Sequence, residues 1–366
     1  MQSPEHLGIE HLEPLRRALI NFLSAPISEF TYAQIIDGQP TSNVYAADHH
    51  FREGLAVSDH EALCPGSLEK ARAFRSDFNV LDLTFNPNTL QAYQETLPRS
   101  TAWKLRLLEL VAGACHNIAI YLYQMDAGVH KHREHEEWLS AKLASLPEKS
   151  LDRKALPPPT LFWNGRYIES SRYPSGVADM VGYWAETQIF GGVVLFDRGE
   201  SEEECNGMYL HSGRGGRTGI TIAPPTKEQF DGLVHYLLSP TPDHSHCPFP
   251  IEVTPDNRWR WHPYDGRVKH HIWRNRYEIP EGPRPRAKDV ISGYDWPEIT
   301  EEIKIRRELV KKEAGEPFDE TFLTAAMETN RQVTPTSRLW DYHKKRIMEL
   351  EPDRKRQGRP LYFFDP

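Results

Sequence analysis

The sequence predicts an α+β fold: an N-terminal helical part, a central antiparallel sheet packed against helices, and a long irregular and helical C-terminal segment. Three observations support this class. Apolar residues recur every three or four positions up to residue 156, the period falls to two after the prolines at 157–159, and glycine-rich or charged turns separate the short runs that follow. Short connections favour antiparallel pairing, because parallel strands need long crossovers.

The composition limits the classes of protein to consider. The chain has 366 residues, of which 39% are hydrophobic and 26% charged, so it can bury a large core as one compact unit or about two domains. A net charge of -8 gives no overall attraction to nucleic acid or to anionic membranes. The four cysteines form no CxxC pair, and the N-terminus shows no secretory signal. We therefore expect a cytoplasmic protein with reduced thiols.

The N-terminal part, residues 1–156, is predicted to be mainly helical. The run after Pro14 has one apolar face and would carry the proline in its first turn. Ser58 and Ser67 stand at positions typical of helix caps. The strongest pattern, over 101–123, is interpreted as a core helix because polar side chains interrupt it too often for a membrane span. A second helix is expected over 132–146.

The β-rich centre, residues 160–240, begins with Asn164-Gly165 between two β-favouring runs, which predicts a type I′ hairpin. Thr226-Lys-Glu-Gln229 has the spacing of a capping box and predicts a helix that lies on the sheet. Further strands are predicted over 180–186, 189–196, 208–211 and 219–223.

The C-terminal segment, residues 241–366, is irregular to about residue 297, and helices are predicted over 299–314 and 337–350. Residues 257–277 carry six basic side chains against one acidic, interleaved with tryptophan and tyrosine. Such a segment can stack on bases and pair with phosphates, but packing of its cations on aromatic faces is favoured at this net charge. Any contact with nucleic acid is assigned to four arginines: Arg258, Arg260, Arg274 and Arg276.

Two histidine clusters were considered as metal ligands. The run GVHKHREHEEW, with His130, His132 and His135, resembles half of a cupin motif, but a cupin needs strands and this run follows a long helix. We interpret it as the solvated polar start of a helix. His244 and His246 stand near prolines and are interpreted as a surface loop. No metal ligand is assigned and no cofactor is predicted.

Motifs of the common enzyme classes are missing from the sequence. No GxSxG nucleophile motif and no GxxxxGK[ST] phosphate loop occurs. The glycine-rich run 213–217 precedes a predicted strand, so we interpret it as a hairpin tip. An anion-binding loop, with charge from Arg214 and Arg217, is the alternative.

The best candidate site lies in the β-rich centre. An imidazole and a carboxylate on one face of a sheet can work as general acid and base, and histidine changes charge near neutral pH. We therefore predict that His211 is the acid/base and that Glu186 or Asp197 is its carboxylate partner. Ordinary solvated strand ends are the alternative. The predicted substrate-binding residues are Tyr183, Trp184, Arg198, Tyr209 and Arg217.

The stretch VADMVGYWAETQIFGGVVLFDRGESEEECNGMYLHS resembles a segment of a family of uncharacterised proteins from filamentous fungi. The resemblance covers the central third of the chain and implies a role in specialised metabolism, with no catalytic residue to carry over. The predicted function is a cofactor-independent enzyme that cyclises, isomerises or dehydrates a small molecule. An RNA-linked transferase that uses aminoacyl-tRNA and a non-enzymatic interaction protein are the alternatives.

Overall fold

A computed structural model describes residues 2–49, 54–148, 150, 153, 156–212, 222–254, 257, 261, 263–282, 305 and 307–331. The predicted loop at 213–217, the helix predicted over 337–350, and Arg258 and Arg260 lie outside these residues. The α+β class is confirmed, because helices pack around a four-stranded antiparallel sheet.

The N-terminal part is helical, as predicted. Its helices are α1 (Ile9–Ser24), α2 (Pro26–Asp37), α3 (Ser42–Asp48), α4 (Ser67–Asp77), α5 (Pro87–Gln94), α6 (Thr101–Met125) and α7 (His132–Ser145). The prediction for Pro14 was wrong: α1 begins earlier, and Pro14 lies inside it. Proline removes the hydrogen bond to the carbonyl of Glu10, an exposed residue. The capping predictions were also wrong, since Ser58 lies in a short 3-10 helix and the N-cap of α4 is Gly66, not Ser67.

Helix α6 is the centre of the fold. By length and composition it could cross a membrane, but 78% of its most apolar window is buried inside the protein. Burial of this extent is expected of a core helix, as the sequence predicted. Its N-cap, Ser100, accepts a hydrogen bond from the backbone of Trp103 and so fixes where the helix begins.

The largest correction concerns the predicted strand over 180–186. This stretch belongs to a helix, α8 (Val177–Phe190), and every residue from Ala178 to Phe190 is buried. A helix that is buried on all sides has no polar face, so its sequence lacks the period that identifies helices. The prediction that Tyr183, Trp184 and Glu186 lie on a strand is therefore wrong.

The predicted hairpin at Asn164-Gly165 is not formed, because the described residues around it are turns and bends. The Asn164 side chain instead accepts a hydrogen bond from the backbone of Arg166 and donates one to the Thr187 hydroxyl of α8, both at 2.8 Å. This turn therefore packs against α8.

The sheet consists of β1 (Val193–Asp197), β2 (Met208–His211), β3 (Ile222–Ala223) and β4 (Ile272–Trp273), in the order β3-β2-β1-β4. All neighbours are antiparallel, as predicted, and the strand predicted over 208–211 is confirmed. The strand predicted over 189–196 begins only at Val193, because Gly191 adopts a φ of 87° and ends α8.

Both faces of the sheet are buried. Val194 and Phe196 face the main core, whereas Val193 and Leu195 face a smaller aromatic cluster that contains Tyr183. The main core runs from residue 7 to residue 253 and includes side chains of α1, α2, α6, α8, β1 and α9 (Lys227–Leu238). The helical part and the sheet therefore share one core.

The remaining helices come after the sheet. The capping box predicted for α9 is present, with Thr226 and Gln229 each accepting a hydrogen bond from the backbone of the other. Helix α10 (Pro263–Lys269) and strand β4 come from the basic and aromatic segment, whose described part packs into the protein with Trp273 and Arg274 buried. Residues 307–313, inside the predicted 299–314 helix, are helical, and α11 (Glu320–Arg331) follows.

Candidate functional site

A buried network of charges joins α6 to α8. His116 of α6 lies between two carboxylates of α8, with Nδ1 2.8 Å from Oε1 of Glu186 and Nε2 3.0 Å from Oδ1 of Asp179. Because an ionised carboxylate can only accept, these two contacts favour a ring with a proton on both nitrogens, and Nη2 of Arg274, which lies 3.3 Å from Nδ1, opposes that charge. Burial alone would lower the pKa of His116, but its hydrogen bonds to Asp179 and Glu186 raise it above the usual value.

Arg274 supplies the second positive charge of this network. Its Nη1 lies 2.7 Å from Oε2 of Glu186, and that oxygen also accepts the backbone N–H of Val194 at 3.0 Å. Burial raises the pKa of Glu186, but the charge of Arg274 and the bond from His116 outweigh it and lower the pKa below the usual value. Glu278 accepts from the Tyr183 hydroxyl and from the backbone of Arg274, both at 3.0 Å. The network holds the end of the basic segment against α8.

The predicted acid/base residues have different partners from those expected. Nδ1 of His211 lies 3.1 Å from the Tyr167 hydroxyl and 2.9 Å from Nη2 of Arg267. The imidazole within hydrogen-bond distance of Glu186 belongs to His116, which the sequence analysis did not assign. A histidine within the most apolar part of α6 was the available signal. Asp197 accepts the backbone N–H of Gly199 at 2.9 Å, at the end of β1. The catalytic roles of these residues stay predictions.

The predicted substrate-binding side chains that the structure describes are mostly core residues. Tyr183 and Trp184 are 0% and 2% exposed, and Trp184 packs edge-on against Phe162. Arg198 forms a 2.8 Å ion pair with Glu109. Tyr209 packs, partly buried, against the smaller aromatic cluster, and Arg217 lies outside the described residues. None of the four described side chains lines the cavity described next.

A cavity of about 230 Å³ lies between the end of α2, the start of α7 and residues 159–161. Its walls combine apolar side chains with a few polar groups, which is usual for sites that bind small molecules. The apolar part includes Leu55, Ala56, Tyr123, Trp138 and Leu161, and the polar part includes Gln39, His130, His132, Glu134 and His135.

Four side chains of this wall carry buried polar atoms for which the described residues supply no hydrogen-bond partner. Within the described part of the chain, no partner is found for the buried atoms Nε2 of Gln39, Nε2 of His132, Nδ1 of His135 and Nε1 of Trp138. A buried polar atom without a partner costs about 1–3 kcal/mol. The side chains that carry these buried atoms line one cavity, and a polar ligand that reaches the atoms would satisfy several of them together.

His135 has the geometry of a general base. Its Nε2 lies 2.9 Å from the carbonyl of Pro158, and a carbonyl only accepts, so Nε2 carries the proton and Nδ1 of the neutral ring carries the lone pair. Burial lowers the pKa of His135, more than the bond to Pro158 and the charge of Glu136 raise it. The neutral ring therefore predominates at pH 7. Trp138 stacks on the ring and fixes its plane.

The interpretation of these histidines as a solvated helix start is partly wrong. They do lie at the start of α7, but His135 is only 8% exposed. His132 stacks on Tyr123 with ring centroids 3.7 Å apart. No pattern in the sequence indicates this burial, because the covering residues 159–161 lie at the end of the proline run and in the turn that follows it. His244 and His246 are exposed, as predicted for a surface loop.

A second group of side chains lies behind the cavity wall. Asp37, His60, Cys64 and His130 each place one potential metal-ligating atom within 4.8 Å of the others. The sequence analysis considered only His130 of these four. The other three are separated from it by more than a helix, so their spacing along the chain forms no motif.

Neither a protein-family model, nor a curated protein, nor a solved structure matches the chain. The resemblance to proteins of filamentous fungi therefore stays a prediction.

Proposed function

We propose that the protein is an enzyme that performs general acid/base chemistry on a small polar molecule bound in the cavity beside α7. The observation that carries the proposal is the set of unpartnered polar atoms at this cavity, among which the Nδ1 lone pair of His135 is fixed in place. Cyclisation, isomerisation and dehydration can each begin with a base that removes a proton from the substrate, and the proposal is that kind of reaction.

Different residues of the cavity wall would accept the substrate proton and hold the substrate. His135 accepts the substrate proton at Nδ1, and its bond to Pro158 keeps that atom free of its own proton. The side-chain N–H groups of Gln39 and Trp138 are donors that would hold a substrate oxygen. The volume of about 230 Å³ is below the roughly 300–1,000 Å³ of sites for drug-sized ligands, so the substrate is a small metabolite.

The wider setting of the proposal follows from the sequence. All four cysteines are free thiols, which supports a cytoplasmic location. A substrate from fungal-type specialised metabolism remains the proposed class. The aminoacyl-tRNA alternative gains no support from the arginines that the structure describes, because Arg274 pairs with Glu186 and Arg276 pairs with Glu202.

The test uses solvent deuterium, since proton abstraction can be detected before the reaction is known. Small carboxylic acids, ketones, phenols and amides are screened for binding to the full chain by ligand-observed NMR. Ligands that bind are then incubated with the protein in D2O. We expect at least one of them to exchange a carbon-bound proton for deuterium in the presence of the wild-type protein, and His135→Gln to abolish this exchange.

Two controls locate the chemistry in the cavity. Ala56→Phe adds bulk at an exposed position of the cavity wall and should remove binding. His244→Gln changes an exposed histidine outside the wall and should leave binding and exchange unchanged. Exchange that survives His135→Gln, or ligands that bind Ala56→Phe as well as the wild type, would refute the proposal.

A further inference from the structure

The group behind the cavity wall comes from four separate segments. Asp37 is the last residue of α2, His60 follows the short 3-10 helix at 56–59, Cys64 precedes α4, and His130 lies between α6 and α7. The closest atoms are Nε2 of His60 and Oδ2 of Asp37, 3.1 Å apart, and Sγ of Cys64 and Nε2 of His130, 3.4 Å apart. Side chains that lie far apart in sequence are brought to one point.

Two glycines make this convergence possible. Gly38 follows Asp37 with a φ of 91°, and a Cβ there would clash with the carbonyl of His130. A Cβ on Gly128 would clash with the carbonyl of Asp37 in the same way. The close approach lets the backbone N–H of His130 donate to the carbonyl of Asp37 at 3.0 Å. The loop between α6 and α7 is thereby fastened to the end of α2.

The hydrogen bonds around the cluster aim lone pairs into it. Nδ1 of His60 lies 2.9 Å from the carbonyl of Pro40, which can only accept, so Nδ1 carries the proton and Nε2 of the neutral ring carries the lone pair. That lone pair faces the Asp37 carboxylate, and neither Nε2 of His60 nor Oδ1 of Asp37 has a hydrogen-bond partner in the described part of the chain. Both residues are more than nine-tenths buried.

Two buried atoms that both present lone pairs repel each other unless a positive charge lies beside them. A proton on Nε2 of His60 would supply this positive charge, but the contact between Nε2 and the Asp37 carboxylate does not have hydrogen-bond geometry. A metal ion bound by both atoms would supply the positive charge instead. Neighbouring groups also orient the side chains that would hold the ion. The carbonyl of Pro40 accepts from His60, and the backbone N–H of Cys64 donates to Oδ2 of Asp37 at 2.8 Å. Glu134 lies 4.0 Å from Nδ1 of His130.

We propose that Asp37, His60, Cys64 and His130 bind one zinc ion in a closed structural site. One carboxylate, one thiolate and two imidazoles are ligands that zinc prefers, and four protein ligands are typical of structural rather than catalytic zinc. Ligand atoms about 2.0–2.3 Å from a tetrahedral ion are about 3.3–3.8 Å from one another. Two of the observed distances, 3.1 and 3.4 Å, are close to these separations, and all four atoms lie within 4.8 Å of one another, so binding would draw the more distant atoms inward.

The charges balance in the complex. The Cys64 thiol releases its proton to solvent on binding, so that one thiolate and one carboxylate neutralise the two charges of the ion. The ion would fix the loop that carries His130, and with it the start of α7 and one wall of the cavity. The zinc site does not depend on the proposed enzyme function, and its test does not use activity.

The experiment measures zinc bound to the purified full-length chain. The protein is stripped with a chelator, reloaded with zinc, and dialysed, and its metal content is determined by mass spectrometry. We expect about one zinc per chain, as for a closed structural site. Reloading with cobalt should give the intense visible bands of a tetrahedral ion and a near-ultraviolet thiolate charge-transfer band. Zinc should also raise the Tm.

Matched variants separate this site from chance binding. Loss of a residue that only hydrogen-bonds to a metal ligand typically weakens metal binding about 10–100-fold. Cys64→Ser and His60→Gln each remove a ligand, so each should weaken zinc binding by more than that. Cys247→Ser and His246→Gln alter the same residue types outside the cluster and should bind as the wild type does.

The proposal is overturned if the reloaded wild type retains well below one zinc, which requires no variant to be folded. It is also overturned if Cys64→Ser, folded by circular dichroism, retains zinc and the cobalt charge-transfer band, because the metal then binds elsewhere. The proposal is likewise refuted if zinc does not change the Tm of the wild-type protein. His60 and Asp37 would then be a simple ion pair.

Discussion

His116 and His135 are both buried, but their surroundings drive them to opposite charge states. Each nitrogen of His116 faces a carboxylate, so the protonated ring is stabilised. His135 has a carbonyl at one nitrogen and no partner at the other in the described part of the chain, so burial dominates and the neutral ring is stabilised. A ring that is held protonated has no lone pair to offer as a base. This difference separates a structural histidine from a candidate catalytic one.

NMR of protein with 13C-labelled histidine can check this contrast. We expect His116 to titrate above the usual histidine value of 6.5 and His135 to titrate below it, because hydrogen bonds to carboxylates prevail at the first ring and burial prevails at the second. His116→Gln and His135→Gln assign the two signals. Titration of both rings in the opposite order would contradict the hydrogen-bond assignments.

His116→Gln should also change how stability depends on pH. The pKa of His116 is raised in the folded state, so its contribution is complete below 6.5 and is lost as pH rises through the folded pKa. The pKa of Glu186 is lowered, so its contribution is present above 4.5 and is lost as pH falls through the folded pKa. His116 and Glu186 together therefore contribute most to the free energy of unfolding between pH 4.5 and pH 6.5.

Urea unfolding across this pH range measures the effect. Loss of one partner from a buried ion pair costs about 3–5 kcal/mol, so the variant should lose about that much near pH 5.5 and less at pH 9. His246→Gln, in an exposed ion pair, is the control and should change little. A variant that keeps the wild-type fall in stability above pH 6.5 would show that another group causes it.

At the level of elements, the sequence predicted those helices that have one polar face or a clear cap. α6, α7 and α9 are of this kind, and they were predicted within a few residues. α8 was missed because all sides of it are buried, so its apolar and β-favouring side chains show no helical period. The candidate site was missed for a related reason. The position of the His135 lone pair depends on the carbonyl of Pro158, and the group at Asp37 is completed by His60, Cys64 and His130. In both cases the partners are distant in sequence.

The capping box of α9 gives a prediction at this scale. Thr226→Ala removes the hydroxyl that accepts the backbone N–H of Gln229, and an N-cap of this type contributes about 1 kcal/mol. We expect the free energy of unfolding in urea to fall by about this amount with no change in the m-value. Thr241→Ala, at an exposed position in the loop after α9, is the matched control. Equal effects of the two substitutions would mean that the cap contributes nothing specific.

For the whole molecule, the boundary predicted after residue 156 does not coincide with a break in packing. α6 packs most extensively against α8, which lies on the other side of that boundary. Asn21 of α1 donates to the carbonyls of Tyr236, Leu237 and Ser239 at the end of α9, at 2.8–3.2 Å. The buried carboxylates of Asp179 and Glu186 also depend for a hydrogen-bond partner on His116, which belongs to residues 1–156. Each part therefore buries groups whose partners belong to the other.

A fragment of residues 1–156 should consequently fail to fold alone, although it contains the longest helix that the structure describes. The apolar face of α6 that α8 covers would be exposed to water, and His116 would lose both carboxylates. We expect reduced helicity by circular dichroism, no cooperative thermal transition and poor amide dispersion by NMR. Coexpression with residues 157–366 should restore a complex that melts cooperatively. A fragment 1–156 that melts cooperatively alone would show instead that the helical part is an independent domain, and that the charges joining α6 to α8 form an interface rather than a core.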